Sequence, residues 1–455
     1  MADLVAGLDL GSTGIKILIA DRQGQEVLLR QVSTPWRDCP HGATELDADD
    51  LLASVRALLA DVADGLAEVT GDAGARISAL AVSGMGETGF LLGSGLEVVS
   101  PGIAWFDPRG ADQVRNLPAA LREQFAGRTG LPLGAQVTVA KLLLLRDEGL
   151  TLAGTRWANL PEFVAASLGA RLVGDVSLVS RTGLLDQDTG RPWPEMLAYL
   201  GVDATFLPPL VPSGADLGAA SGVLVPAALQ GARLTVAGHD HLVSAVSGGL
   251  TESDRYHVSM GTAEVLLRVV DSPLDYDARS RLGAALINCV HHVVPGKHVL
   301  VAGVKTGLLM RRALQLVGIT DAAGRDALDA AVLALDRSPG LVEGAVEVHG
   351  ARNDDGMLSL TIRADGVTPA EVFRAVLRHG NEEISRLIEV MDHEVRPARS
   401  TLLTGGWVGM QSVCGARAEV LPGMNVSTRS QDTAFGAAMF AARLGATDRA
   451  LSAEH

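Results

Sequence analysis

One pattern occurs twice in this chain, and it constrains the fold more than any other feature. Near the start, Gly7-Leu8-Asp9-Leu10 runs into Gly11-Ser12-Thr13-Gly14 and on through Ile15-Lys16-Ile17-Leu18-Ile19. Past the middle, His257-Val258-Ser259-Met260 runs into Gly261-Thr262-Ala263 and on through Glu264-Val265-Leu266-Leu267. Each is an apolar run, a tight turn of Gly and hydroxyl residues, and a second apolar run, which predicts a β-hairpin. Such a turn exposes backbone N–H groups and hydroxyls with no bulky side chain in the way, which suits phosphate oxygens. Between the two, Val236-Ala237-Gly238-His239-Asp240 puts an acid at the end of a short apolar strand. Either hairpin alone reads as an ordinary surface turn. The pair, with the acid between, predicts a phosphate chain held between two domains.

At 455 residues the chain exceeds the size at which single cores stop growing. Two domains are expected, at 1–249 and 250–445. Hydrophobic residues at 47% and charged residues at 20% give ample core. No apolar run approaches the roughly 18 residues of a membrane span, and Met1-Ala2-Asp3-Leu4 lacks the features of a signal peptide. The expectation is therefore a cytoplasmic protein without membrane partners. Cys39, Cys289 and Cys414 are far apart and predict neither a disulfide framework nor a cysteine-rich metal site. The net charge of −15 argues against nucleic acid, which needs a basic footprint. An acidic chain that handles phosphates must do so with backbone amides, a few local cations and Mg²⁺.

Along the chain, a third strand is expected at about Gln25 to Ser33 and a helix over Asp47 to Leu66, with acids at its start complementing the helix dipole. Ile77 to Ser83 reads as a buried strand. Phe90-Leu91-Leu92 and Leu96-Glu97-Val98-Val99 read as a second hairpin around Gly93-Ser94-Gly95. Helices are expected at Ala140 to Glu148, Asn159 to Leu168, Pro369 to Met391 and Asp432 to Leu444, with strands at Leu234 to Ala237 and Ser400 to Leu403. Hairpin, third strand, then alternating helix and strand, in both halves, predicts two α/β domains of related topology.

These residues resemble the FGGY carbohydrate kinases of the actin/hexokinase-like ATPase superfamily. Asp9, Gly11, Ser12 and Lys16 match the family's first phosphate motif. The segment ending Trp105-Phe106-Asp107-Pro108-Arg109 is similar to its Trp-x-Asp-x-Arg, and Asp175 to Gly183 to its Asp-x-Ser-x-Ala-Ser-x-Thr. Gly238-His239-Asp240 sits where the family carries its catalytic aspartate. Ser259 to Thr262 resembles the second phosphate hairpin, Gly405-Gly406 the adenosine turn, and Asp432 to Ala438 the closing helix. The resemblance spans nearly the whole chain.

It implies two actin-like (ribonuclease H-like) domains with a catalytic cleft between them. It also implies an ATP- and Mg²⁺-dependent transfer of the γ-phosphate to a hydroxyl of a five- or six-carbon ketose or polyol. Asp240 is the expected general base, its bland alternative being a helix cap. Asp9, with Asp240, is expected to orient Mg²⁺, and Lys16 to touch the transferring phosphate. Gly11, Ser12, Thr13, Gly261 and Thr262 would supply amides and hydroxyls to the phosphates, while Gly405 and Gly406 let backbone approach the nucleotide. Glu87, Trp105, Asp107, Arg109 and His239 are the expected sugar contacts. Trp105 has a core aromatic as its alternative, and Asp107 and Arg109 have locking one another as theirs. Gly86 stands where glycerol kinases have an arginine that grips the polyol, which argues against glycerol. The oligomeric state is left open by the sequence, a homodimer being one option.

Two departures from the family pattern stand out: Thr306-Gly307 in place of a tryptophan, and Trp407 where the residue is usually small. The region Gly340 to Gly366 is also shorter than in many members. Gly84-Met85-Gly86-Glu87-Thr88-Gly89 spells a dinucleotide fingerprint, but the pattern after it is strand-like, whereas that motif must open a helix. His239-Asp240-His241 also fits the HxH of a metal-dependent hydrolase, although too little chain follows for a ~250-residue barrel. A third alternative is a sugar- or nucleotide-sensing relative without turnover.

Overall fold

The computed structural model describes residues 3–72, 74–335, 344–350, 358–427 and 432–444. Two mixed sheets organise it. The first contains β1 (Leu4–Leu10), β2 (Gly14–Asp21), β3 (Glu26–Ser33), β4 (Ile77–Gly84) and β5 (Arg233–His239), in the order β5-β4-β1-β2-β3. The second contains β6 (Arg255–Met260), β7 (Glu264–Val270), β8 (Asn288–His291), β9 (His298–Val304), β10 (Ser400–Gly405) and β11 (Met424–Val426), in the order β8-β9-β7-β6-β10-β11. In each sheet the first strand of the expected hairpin turns back antiparallel on one side. On its other side it takes a parallel partner, β4 beside β1 and β10 beside β6. Every residue of β1 is buried, as befits a strand covered on both faces.

Six helices matter here: α1 (Ala48–Thr70), α2 (Asp240–Ser247), α3 (Thr306–Leu316), α4 (Pro369–Glu394), α5 (Gln411–Ala418) and α6 (Asp432–Arg443). α1 starts at the acidic cluster because the Asp47 carboxylate accepts from the N–H groups of Asp49 and Asp50, and it ends at Gly71, whose φ is 67°. α4 starts on a capping box between Thr368 and Glu371. Leu51, Val55 and Leu59 of α1 fill one face of the first sheet with Phe163. On its other face, Val5 and Leu18 share a core with Leu267 and Val299 of the second sheet and Ala437 and Ala441 of α6. Leu309 of α3 and Phe373 of α4 cover the far side of the second sheet with Leu403. No helix among the described residues is long and apolar enough to cross a membrane.

α6 packs on β1, β4 and α2. The approach is so close that a Cβ at Gly7 would lie 2.0 Å from the Ala434 carbonyl oxygen and 2.3 Å from the Ala438 nitrogen. A Cβ at Gly436 would lie 2.5 Å from the Val243 carbonyl oxygen of α2. The small residues of the closing segment therefore serve backbone-to-backbone packing.

One expected element is extended. The hairpin around Gly93-Ser94-Gly95 closes, with the Gly93 N–H on the Glu97 carbonyl at 2.8 Å and the Val99 N–H on the Leu91 carbonyl at 3.0 Å, but it is the smaller of two pairings. The strand Gly89–Leu92 pairs with Arg156–Asn159, and the return stretch adds a single bridge, Leu92 to Val98. The reason is burial: Phe90, Leu91 and Leu92 are at most 1% exposed, and the buried Trp157 and Ala158 cover them where the exposed Leu96 cannot. A strand rather than a helix follows Gly84-Met85-Gly86, so the dinucleotide fingerprint lacks its helix. The stretch Gly340 to Gly366 lies partly, and the tail beyond Leu444 wholly, outside the described residues.

Replacing Gly7 by Ala forces backbone apart, since no flexible side chain is available to yield. We expect Gly7→Ala to destabilise the protein by about 3 kcal/mol or more, read as a lower urea midpoint. An unchanged midpoint would contradict the α6 docking.

Candidate active site

The parallel strands β1, β4 and β5 end in one row, with Leu10 opposite Gly84 and Gly84 opposite His239. In open α/β sheets this carboxyl edge is where ligands bind. Asp9 is the penultimate residue of β1, Glu87 follows β4, and Asp240 follows β5 as the first residue of α2. β5 reaches the edge through an irregularity between Val236 and Gly238. Gly238 has φ +105°, and a Cβ there would lie 2.4 Å from Ser177 Oγ, so only glycine makes this bend. Beyond it the His239 N–H donates to Ser177 Oγ at 3.1 Å. His239 occupies the cap position of α2, and Asp240 lies in the first turn, its Oδ1 accepting the neighbouring His241 N–H at 2.6 Å. The Asp240 side chain retains 20% exposure.

Asp9 is buried, and its Oδ1 has no hydrogen-bond partner among the described residues. Burial, then the nearby Asp240 charge, pushes its pKa up to about 8, with Lys16 opposing. Lys16 stands directly across the hairpin from Asp9 in register, which puts the two on one face of the sheet. An orphaned buried carboxylate oxygen beside a second carboxylate fits a hard divalent cation, which takes one or two carboxylates and completes its shell with water and phosphate oxygens.

The two Gly/hydroxyl turns are both present and both anchored. In the first, the Gly11 N–H bonds the Gly14 carbonyl at 3.2 Å, the Thr34 hydroxyl donates to the Gly11 carbonyl at 2.6 Å, and the Trp36 indole N–H donates to the Ser12 carbonyl at 2.7 Å. Thr13 is exposed at its tip. In the second, the Gly261 N–H bonds the Ala263 carbonyl at 2.9 Å, and both Gly261 and Thr262 are exposed. β6 and β10 end together at Met260 and Gly405, which brings Gly405 and Gly406 beside this turn. The Trp407 indole N–H closes the gap by donating to the Gly261 carbonyl at 3.1 Å. The start of α3 presses on the same turn, where a Cβ at Gly307 would lie 1.8 Å from the Gly261 carbonyl oxygen. The two departures from the family pattern thus meet at one turn: position 307 has no room for any side chain, and a tryptophan arrives from 407 instead. At the base of the hairpin, fully buried Glu264 accepts from Arg417 Nε at 2.9 Å and from the Thr306 hydroxyl at 2.7 Å, while Arg417 Nη1 donates to Asn381 at 2.6 Å.

The expected sugar contacts divide. Glu87 and His239 are buried at the strand ends with Asp240. Burial raises the Glu87 pKa, opposed by Arg181 and assisted by Asp240. Burial, then Arg181, drives the His239 pKa well down, which keeps the imidazole neutral. Asp107 and Arg109 are tied to each other, with the Arg109 Nη2 2.8 Å from Asp107 Oδ2 and Nη1 2.9 Å from Glu45. Asp107 also accepts from the Thr44 N–H, and the buried Lys141 ammonium donates to the Asp107 and Arg109 carbonyls. Trp105 is 38% exposed and makes an edge contact with Phe106, which itself meets Trp36.

The profile of the FGGY family of carbohydrate kinases, N-terminal domain, matches residues 4–247. The chain belongs to this family. It is 27% identical to a xylulose kinase of Klebsiella pneumoniae over 418 residues, which is 88% of this chain and 81% of that one. It is 26% identical to a glycerol kinase of Agrobacterium fabrum over 52% of this chain and 48% of that protein. The solved xylulose kinase of Rhodospirillum rubrum superposes with a TM-score of 0.84 at 22% identity, covering 98% of this chain and 90% of that one. The protein is thus a carbohydrate kinase with two actin-like domains, and its family uses ATP as phosphoryl donor.

Two residues of this FGGY kinase that partner the candidate site residues escaped the sequence reading as individuals. Arg181 lies inside the Asp175 to Gly183 segment, where it is the single charged side chain after Asp175. Lys141 lies in an apolar helix, where one charged residue among leucines was the available signal.

Asp9 gives a prediction with a definite sign. Because its folded pKa stands near 8 against 3.8 for the ordinary carboxyl, the native state holds a proton that the unfolded state has lost. Its contribution to stability therefore falls as pH rises from 3.8 towards about 8. Glu162, also pushed up to about 8 by burial, adds a parallel slope. We expect the ligand-free melting temperature of Asp9→Asn to exceed that of wild type at pH 8, with the difference vanishing near pH 4. Parallel melting curves across that range would contradict it.

Proposed function

We propose that this kinase transfers the γ-phosphoryl group of ATP to a hydroxyl of a five- or six-carbon ketose or polyol, with Asp240 as general base. The observation that carries the reading is the carboxylate row: Asp240, partly exposed, at the same strand edge as the buried Asp9 and Glu87. Phosphoryl transfer needs mostly positioning and charge stabilisation, plus one group to take the acceptor's proton. Asp240 is the carboxylate suited to that proton because it is ordered by its helix start yet open to solvent.

The other expected residues fall into roles around it. Asp9, with Asp240, would hold Mg²⁺, which supplies neutralisation of the charge on the β/γ-phosphate oxygens. Lys16 places a cation across from Asp9. The turns of Gly11, Ser12, Thr13, Gly261 and Thr262 would receive the phosphates, led by the hydroxyls of Ser12, Thr13 and Thr262 because the Gly11 and Gly261 N–H groups are bonded within their turns. Gly405 and Gly406 would receive the nucleoside. Glu87 and His239 line the acceptor's place. Asp107 and Arg109 contribute by locking the loop that carries Trp105, whose exposed indole offers a face to the sugar. On this reading residues 1–249 bring the sugar and the first turn, and 250–445 bring the second turn and the nucleotide. Closure of one on the other excludes water and favours transfer to sugar over hydrolysis.

The test is ADP release from Mg-ATP across pentuloses, hexuloses, polyols and aldonates, with Asp240→Asn alongside. We expect one acceptor to stimulate release, and Asp240→Asn to lower kcat by at least ~10² with ATP affinity changed by less than about threefold. Full activity in the variant would remove Asp240 as the base. Binding of sugar and ATP without product would mark a sensor.

A further inference from the structure

Arg181 holds a donor that nothing among the described residues satisfies. It follows the short helix Val176–Val179, which Asp175 caps. Its Nε and Nη2 both reach Glu87 Oε1, at 2.7 and 2.5 Å. Its Nη1 is buried with no hydrogen-bond partner, and the residue as a whole is 8% exposed. A buried donor left unmet costs about 1–3 kcal/mol, and more when charged, so such a group inside a binding site points to an acceptor that the ligand brings.

The location ties this donor to the acceptor's place. A Cβ at Gly86 would lie 2.9 Å from Arg181 Cδ and 3.0 Å from His239 Cδ2. The bare glycine therefore lets a guanidinium from a distant loop fill the space beside Glu87. Arg181 acts electrostatically on His239, and Glu87 in turn senses Asp240 and His241. The unmet Nη1 thus shares its surroundings with the proposed base.

We infer that Arg181, paired with Glu87, grips the acceptor sugar through an uncharged oxygen, a hydroxyl or ketone, and selects neutral sugars over aldonates. The inference rests on the kinase reading given above. Glu87 already neutralises the guanidinium, and Asp240 adds negative charge nearby, so an acceptor carboxylate would be repelled without a free cation to offset its desolvation. A neutral oxygen accepts from Nη1 at no such cost.

The experiment is steady-state kinetics of the full chain with Mg-ATP, using uncharged ketoses and polyols and the aldonates of equal length. Wild type, Arg181→Gln and Arg181→Lys are compared. We expect wild-type kcat/KM for the best neutral acceptor to exceed that for the matching aldonate by at least about 10². Arg181→Gln should raise the acceptor KM at least about tenfold while the ATP KM stays within about twofold. Arg181→Lys, which keeps the charge but loses the planar fork, should behave like Arg181→Gln. A purely structural role would move both KM values together. Wild-type preference for the aldonate overturns the inference, and this arm needs no variant to fold. An unchanged acceptor KM in a folded variant overturns it as well. Absence of turnover with every acceptor in wild type would strike the kinase reading itself, a different failure.

Discussion

Two carboxylates that repel each other stand at the end of one sheet, and much of the surrounding structure follows from keeping them there. Asp9 is buried with an unmet oxygen and feels Asp240 from the next strand but one. Left alone, such a pair holds a proton that a bound cation would displace. Lys16 offsets part of this from across the hairpin. The remaining deficit of positive charge is what a metal–phosphate complex would supply. The site thus trades stability for chemistry, as functional sites generally do.

Holding the acids in place takes close backbone packing. α6 can press on β1 only because residue 7 is glycine, and β5 can bend towards Asp240 only because residue 238 is. In the second half, the Glu264–Arg417 pair joins the hairpin base to α5, while Asn381 brings in α4 and Thr306 brings in α3. A buried pair of this kind is a modest source of stability but a firm fixer of geometry. Its partners converge on the turn that Trp407 and Gly307 also touch. That turn is accordingly tied to Gly405-Gly406 and to the helix behind it.

What the sequence made legible was local. Both hairpins, the start of α1 at Asp47 and the capping box at Thr368 announce themselves within a few residues, because turns and caps are short-range chemistry. The family pattern then fixed the fold and the kinase activity. Long-range pairing was less legible. Phe90 and its neighbours found their partner at Arg156–Asn159, because burial rather than proximity along the chain decides pairing. Arg181 reaches Glu87 across 94 residues, and Arg417 reaches Glu264 across 153, and no spacing rule predicts either. Asp107 and Arg109 had two readings in sequence, ligand contact or mutual lock, and only coordinates reveal the bidentate pairing between them.

The most direct test of the account counts protons. With Asp9 pushed up to about 8, ligand-free protein at pH 7 carries its proton. Mg-ATP binding, with Mg²⁺ in excess, must then release it, because a carboxylate binds a cation only when ionised. Calorimetric titration in buffers of different ionisation enthalpy should show close to one proton released per nucleotide bound, with the release lost in Asp9→Asn. Binding without proton release in wild type would contradict the central claim that Asp9 and Asp240 form one charge-strained centre awaiting a metal–phosphate.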